Sequence, residues 1–231
     1  KQHSVTTARD LKYAPDGWVR QHLTVMGLRV VWELRGTPCI PLEDVPPPKK
    51  GTGSSRSFGR PVEKLSELSE ALSDYVSRAA EKLRRQKSIT SFIQVYLSTN
   101  EFKDERQYSN AVTLRLPVPT AYTPHLIYFA RKGLKSIYRT GYRYQRVGVF
   151  MTGILPQDRV QLNLFSTGSR GRDLKLQRGL MDTVDFINKR WGGKTIQCAA
   201  SGVRKGWKMR QSVKSPNYTT CWAELPVVKA R

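Results

Sequence analysis

From Pro61 to Gln86 the chain carries Leu65, Leu68, Leu72, Tyr75, Ala79 and Leu83 at three- and four-residue intervals. Side chains so spaced fall on one face of an α-helix and leave the rest of its surface polar. A long helix with a single apolar stripe must lie on something flat and apolar, and the segments around it supply that surface. In ITSFIQVYLS, residues 89–98, Ile89, Ile93, Val95 and Leu97 share one face of a strand, and Thr90, Phe92, Gln94 and Tyr96 share the other. In YSNAVTLRLP, residues 108–117, Val112, Leu114 and Leu116 oppose Ser109, Ala111, Thr113 and Arg115. In RYQRVGVFM, residues 143–151, Val147, Val149 and Met151 oppose Tyr144, Arg146 and Phe150.

Two further elements complete the pattern. SSRSFGR, residues 54–60, is a short strand, with Pro61 opening the long helix at the position where proline is tolerated. After a turn region from Pro117 to Thr123, a second helix starts near Pro124, turns Leu126, Ile127, Ala130, Leu134 and Ile137 inward, and stops at Gly141. The order is β-α-β-β-α-β. Both helices have one apolar stripe, so both must cover the same face of a four-stranded antiparallel sheet. The fold class expected for residues 54–160 is therefore α+β, with one sheet face left open.

The open face mixes aromatic rings with Thr, Gln and Arg. By strand alternation Arg56, Arg115 and Arg146 should lie on it, with Gln94, Tyr96, Thr113 and Tyr144 beside them. Such a face is either an ordinary wetted surface or a cradle for a phosphate backbone. Charge favours the second reading: 40 Lys and Arg stand against 18 Asp and Glu, a net charge of +22 with a pI near 10.3. That surplus exceeds what solubility requires. It calls for a polyanionic partner, nucleic acid first and an anionic membrane second.

The flanks read differently. Residues 1–36 are helical. Thr6-Thr7 precede a short element ending at Ala14-Pro15, and Asp16 caps a second helix whose Val19, Leu23, Met26, Val30 and Leu34 share a face, with Gly36 as the stop. One helix and a stub make no core of their own. Residues 37–53, TPCIPLEDVPPPKKGTG, form a linker, semi-rigid at its prolines. Beyond residue 160, QLNLF (161–165) puts three large apolar residues beside the polar STGSRGR. Residues 166–231 then form a small α/β tail. In it Asp173 caps a helix bearing Leu176, Leu180, Val184 and Ile187, KTIQCAA (194–200) forms a short strand, and RKGWKMRQSVKSPNYTT ends the segment. In this last stretch Arg204, Lys205, Lys208 and Arg210 can meet phosphates. Trp207 can stack on a base or pack against protein, and the sequence does not choose.

Catalytic signatures are absent from the sequence. There is no glycine-rich phosphate loop, no nucleophile elbow and no paired carboxylates with metal-ligand spacing. Cys39, Cys198 and Cys221 fit neither a disulfide framework nor a zinc site, and His3, His22 and His125 form no ligand pattern. No apolar run approaches the roughly 18 residues of a membrane span, and KQHSVTTARD has no signal-peptide core. The chain reads as a binding module with no catalytic residues, no metal site and no cofactor. An RNA-recognition motif shares the strand order, but GYRYQRVGVF lacks that motif's aromatic pattern and the helix at 61–86 is too long for it.

Five segments occur together in one order: ELRGTPC (33–39), SRSFG (55–59), SRAAEKLR (77–84), GYRYQRVGV (141–149) and QLNLF. With WKMRQSVKSPNYTT (207–220) they resemble the C-terminal half of the UmuC-type, Y-family translesion DNA polymerases. The resemblance runs over nearly the whole chain. It implies that residues 1–36 end a thumb, 37–53 are a tether, 54–160 a DNA-gripping little finger, 161–165 a sliding-clamp-binding peptide and 166–231 a UmuC-type tail. Gln161 would be the peptide's hydrogen-bonding end, with Leu162, Leu164 and Phe165 its anchors. The polymerase palm with its Mg²⁺ carboxylates would belong to the parent and not to this chain. Implied partners are damaged primer-template DNA, the sliding clamp, a processed UmuD dimer and RecA, in the bacterial cytoplasm at the nucleoid, with no membrane. The remaining alternative is a stand-alone RNA-recognition-like or regulatory module.

Overall fold

The computed structural model describes residues 5–42, 44, 47–159, 170–209 and 215–227. The chain forms two compact units, Lys1–Pro47 and Pro48–Arg231.

The first unit contains α1 (Ala8–Tyr13) and α2 (Asp16–Leu34). Thr7 caps α1 reciprocally: its hydroxyl accepts from the Asp10 amide at 3.2 Å and the Asp10 carboxylate accepts from the Thr7 amide at 3.0 Å. Arg35 ties the two helices together, donating to Asp16 Oδ1 (2.6 Å), the Lys12 carbonyl (2.8 Å) and the Ala14 carbonyl (2.7 Å). Gly36 follows at φ +93°, the left-handed stop expected there. The expected apolar face of α2 is corrected. Val19 is buried, but Leu23, Met26, Val30 and Leu34 are exposed, and Leu28 and Val31 are buried instead. Thr24 leaves helical geometry (φ 62°, ψ −172°), so the stripe facing α1 changes phase halfway along.

In the second unit, β1 (Thr52–Val62), β2 (Ser88–Thr99), β3 (Ser109–Thr120) and β4 (Tyr144–Pro156) form an antiparallel sheet in the order β1-β4-β2-β3. α3 (Leu65–Arg85) and α4 (Thr123–Ile137) cover one face. The expected inward residues are buried: Leu68, Leu72, Tyr75, Ala79 and Leu83 of α3, and Leu126, Ile127, Ala130, Leu134 and Ile137 of α4. They meet Ile93, Val95, Leu97, Val147, Val149 and Met151 from the sheet.

Several boundaries differ from the sequence reading: β1 begins at Thr52, inside the expected linker 37–53, and α4 ends at Ile137 and not at Gly141. Pro61 does not open a helix. β1 runs through it to Val62, and α3 starts at Leu65. Pro117 and Pro119 are not a turn but lie inside β3. Both strands are sheet edges, where proline's missing N–H removes no ladder bond.

The tail lies on this same unit. α5 (Arg170–Trp191) is fixed by Arg84, which makes a two-point ion pair with Asp185 (2.6 and 2.8 Å). Arg84 also donates to the Ala121 carbonyl at 2.8 Å and Thr123 Oγ1 at 2.9 Å. The face of α5 differs in part from the one expected. Leu176 and Leu180 are exposed and Met181 is buried. The residues of reduced exposure are Leu174, Gln177, Met181, Val184, Asp185, Ile187 and Asn188, so Val184 and Ile187 lie where expected, and the polar members are ones an apolar count passes over. The expected strand at 194–200 is not formed. The Asn188 side chain takes the part of a strand partner, bonding both the amide and the carbonyl of Ile196 at 2.9 Å, and a single 3₁₀ turn follows at Ala199–Ser201.

Trp207 is packed and not free to stack on a base. It is 3% exposed and meets Phe58 (ring centroids 6.0 Å apart) and Tyr75 (5.8 Å), both edge-on. Its carbonyl accepts from the Gly59 amide at 3.1 Å.

Candidate nucleic-acid interface

Partners across an antiparallel ladder share a face, so the register defines the open surface. Gly53, Ser55 and Ser57 of β1 stand opposite Phe150, Gly148 and Arg146 of β4. Those in turn oppose Gln94, Tyr96 and Ser98 of β2, which oppose Thr113, Ala111 and Ser109 of β3. One step along, Phe92 joins Thr152 and Arg115. None of these described positions is acidic.

Five of the expected residues lie here: Gln94, Tyr96, Thr113, Arg115 and Arg146. Two do not, and their placement is corrected. Tyr144 is fully buried. Its hydroxyl donates to the Arg139 carbonyl at 2.8 Å and accepts from the Arg139 amide at 3.0 Å. The register slips between Ser98 and Thr99, so Arg146 pairs with Ser98 while Tyr144 pairs with Thr99. A bulge of this kind breaks the simple alternation. Arg56 pairs with Val147 and so points to the helix-covered side. Phe58, two residues on and 2% exposed, shares that side and was the available signal.

Three glycines make the open face flat. A Cβ on Gly148 would fall against the ring of Tyr96 and 2.6 Å from Ser55 Cβ. Phe150 covers Gly53 and Phe92 covers Gly153, each ring 2.7 Å from where a Cβ would stand. Each ring lies down along the sheet and shields backbone that glycine leaves bare. The sequence reading put these rings on the open face but did not see that glycines receive them.

Arg115 and Arg146 are exposed and make no hydrogen bond or ion pair among the described residues. Neighbouring arginines are engaged: Arg60 with Glu67, Arg143 with Glu105 and Glu63. Six positions of β2 separate the partners of Arg115 and Arg146, Phe92 and Ser98. That is about 20 Å along the strands, and two strand spacings add about 10 Å across. Beside Arg146 the end of the β2–β3 hairpin encloses a hollow of about 520 Å³, lined by Ser57, Ser98, Ser109 and Gln145 together with Glu101 and Phe102. Two free guanidiniums at opposite ends of a flat, hydroxyl-rich face can each meet a phosphate of one backbone.

The clamp-peptide residues Gln161, Leu162, Leu164 and Phe165 lie outside the described residues, as does Arg210. Among the described residues no group of three His, Cys, Asp or Glu could hold a metal. No helix there is long and apolar enough to cross a membrane.

Residues 49–164 match the impB/mucB/samB family C-terminal domain. Residues 178–228 match a domain of unknown function, DUF4113. The chain is 37% identical over 227 residues to protein UmuC of Salmonella typhimurium, covering 97% of this chain and 53% of that protein. It is 36% identical to protein SamB and 33% to protein ImpB of the same organism, with 97% of this chain and 52% of each covered. The chain thus spans about half the length of these curated relatives. A solved insertion ternary complex of Dbh DNA polymerase aligns at a TM-score of 0.39 and 12% identity, over 67% of this chain and 42% of that one. The fold assignment rests on the sheet topology itself.

Proposed function

This chain belongs to the impB/mucB/samB family, and on that footing we propose that it is the DNA-gripping, clamp-docking C-terminal part of an error-prone translesion polymerase of the SOS response. The observation that carries the proposal is the open sheet face, with free Arg115 and Arg146 at its ends and no acid between them. A polymerase that copies damaged template must hold any sequence, so the grip falls on phosphates and not on base edges. Gln94, Thr113 and Tyr96 supply neutral donors between the two cations. The reading assigns nucleotide addition, with its Mg²⁺, to the palm of the parent and not to these residues.

Gln161, Leu162, Leu164 and Phe165 are assigned to the sliding clamp on their sequence alone. A contact with a processed UmuD dimer or RecA is assigned to the tail. Deleting the tail would also unplug Trp207 from the core, so Leu176→Asp with Leu180→Asp, both on the exposed side of α5, is the cleaner test. Equal recovery of both partners in a pull-down would remove that assignment.

Primer-template binding as a function of salt tests the grip. Neutralising about 4–6 phosphates gives a log–log slope near −4 to −5 on duplex DNA. Arg115 and Arg146 stand about 20 Å apart, beyond the roughly 10 Å screening length of 0.1 M salt, so they act independently. Arg115→Ala and Arg146→Ala should each flatten the slope by about one unit, and the double variant by about two. Preference for single-stranded RNA over primer-template, or a slope the variants leave unchanged, would refute the assignment.

A further inference from the structure

A second cationic site lies around the β1 edge from the open face. Asp74 of α3, 4% exposed, receives Lys194 Nζ and Lys205 Nζ on the same carboxylate oxygen, both at 2.7 Å. Arg78 Nη2 lies 3.2 Å from its other oxygen, an ion pair without hydrogen-bond geometry. One negative charge therefore faces three positive ones. The Lys205 side chain is only 11% exposed, while Lys194 and Arg78 keep about a third of their surface in water, so the surplus is both partly buried and reachable from solvent. Burial lowers Lys194 below the ordinary ammonium range, and the single carboxylate, shared with Lys205, does not restore it.

These groups line a cavity of about 220 Å³, into which Arg56 and Lys208 add two more cations. Trp207 lines it too, and its indole N–H is buried with no hydrogen-bond partner among the described residues. Here the wall holds five cationic side chains and only one acid, Asp74. Most of these groups come from two places distant in sequence, α3 and the DUF4113 region, so the cavity exists only when the tail is docked.

We propose that this cavity is a phosphate-binding pocket, formed by the cations Arg56, Arg78, Lys194, Lys205 and Lys208, with the packed Trp207 ring in its wall as a reporter of occupancy. A phosphate dianion offsets the charge that Asp74 leaves over and offers acceptors in several directions. The group can be a backbone phosphate of a strand leaving the sheet over the β1 edge, or a free phosphate. The pocket does not rest on the open-face reading.

The test follows the five tryptophan indole resonances of the 231-residue chain by two-dimensional ¹H–¹⁵N NMR, with Trp207→Phe to assign the relevant peak. Inorganic phosphate and tripolyphosphate should shift Trp207 saturably, while Trp18, Trp32, Trp191 and Trp222 stay in place. Arg56→Ala with Lys208→Ala, which leaves the Asp74 cluster intact, should weaken binding at least about tenfold with the thermal transition unchanged. A shift with a single-stranded oligonucleotide that persists in Arg115→Ala/Arg146→Ala assigns the pocket to backbone phosphate. A shift with the inorganic anions alone assigns it to a free phosphate. No saturable shift of Trp207, equal shifts at all five indoles, or a shift the double variant leaves untouched overturns the pocket while leaving the sheet-face grip standing.

Discussion

Trp207→Ala should cost the second unit more than any change on its surface, although residue 207 lies about 120 positions from the end of the helix it packs against. A tryptophan buries roughly 150–250 Å², and Trp207 is 3% exposed. At about 25 cal/mol per Å² the burial is worth roughly 4–6 kcal/mol, an upper bound because unfolded chains already hide some apolar surface. Measured truncations of this kind cost about 3–5 kcal/mol. For a domain of about 150–250 residues each kcal/mol moves Tm by roughly 2–4 °C, so a loss of about 6–20 °C follows. Circular dichroism melting reads it. Hydrogen exchange localises it, because the Gly59 amide donates to the Trp207 carbonyl at 3.1 Å and should lose protection when the plug is gone. Trp207→Phe is the control: it keeps a ring beside Phe58 and Tyr75 and deletes the unpartnered N–H, so it should cost far less. A Trp207→Ala protein melting within about 2 °C of the original, with Gly59 still protected, would refute the docking of the tail on this core.

On the open face, Gly148→Ala should cost about 1–3 kcal/mol through overpacking, because its Cβ meets the Tyr96 ring and lies 2.6 Å from Ser55 Cβ. Tyr96→Ala in the same chain should recover part of that loss in urea unfolding, and additive losses would count against the ring-on-glycine packing. Leu164→Ala with Phe165→Ala removes two apolar anchors worth about 1.5–3 kcal/mol each and should weaken clamp binding at least about 100-fold in calorimetry, with the melting curve unchanged; intact clamp affinity would dispose of the peptide assignment. For Asp74, burial pushes the carboxyl up, but hydrogen bonds from Lys194 and Lys205 outweigh it and hold it below 3.8. Its contribution is therefore fully present above pH 3.8 and is lost as pH falls through the lower folded value. Asp74→Asn should flatten the acid limb of the stability curve, and an unchanged limb would show that the carboxylate carries none of it.

Sequence periodicity sufficed wherever one element met one flat partner. The stripes of α3 and α4 and the alternation of β2 and β3 needed no knowledge of the rest of the chain, and the alternation put Gln94, Tyr96, Thr113 and Arg115 on the open face. It failed where a local irregularity reset the count. The slip between Ser98 and Thr99 sent Tyr144 inward, and the non-helical Thr24 moved the inner stripe of α2 from Leu23 and Met26 to Leu28 and Val31. It failed again where packing joined distant segments. Nothing near Trp207 in sequence announces Phe58 and Tyr75, and the polar partners Asp185 and Asn188 turn α5 so that Leu176 and Leu180 face outward. The charge surplus was plain from composition. That part of it gathers around Asp74, away from the sheet face, required the fold.

The prolines at the margins of the sheet bear on how many copies can crowd together. Pro61 breaks the donor row of β1, and Pro117 and Pro119 break that of β3. A strand offered by a neighbouring molecule would find gaps on either side where an N–H should be. Copies of this chain brought shoulder to shoulder therefore meet an interrupted donor row at either edge, which disfavours joining their sheets into a continuous ribbon and lets the protein crowd locally without fusing.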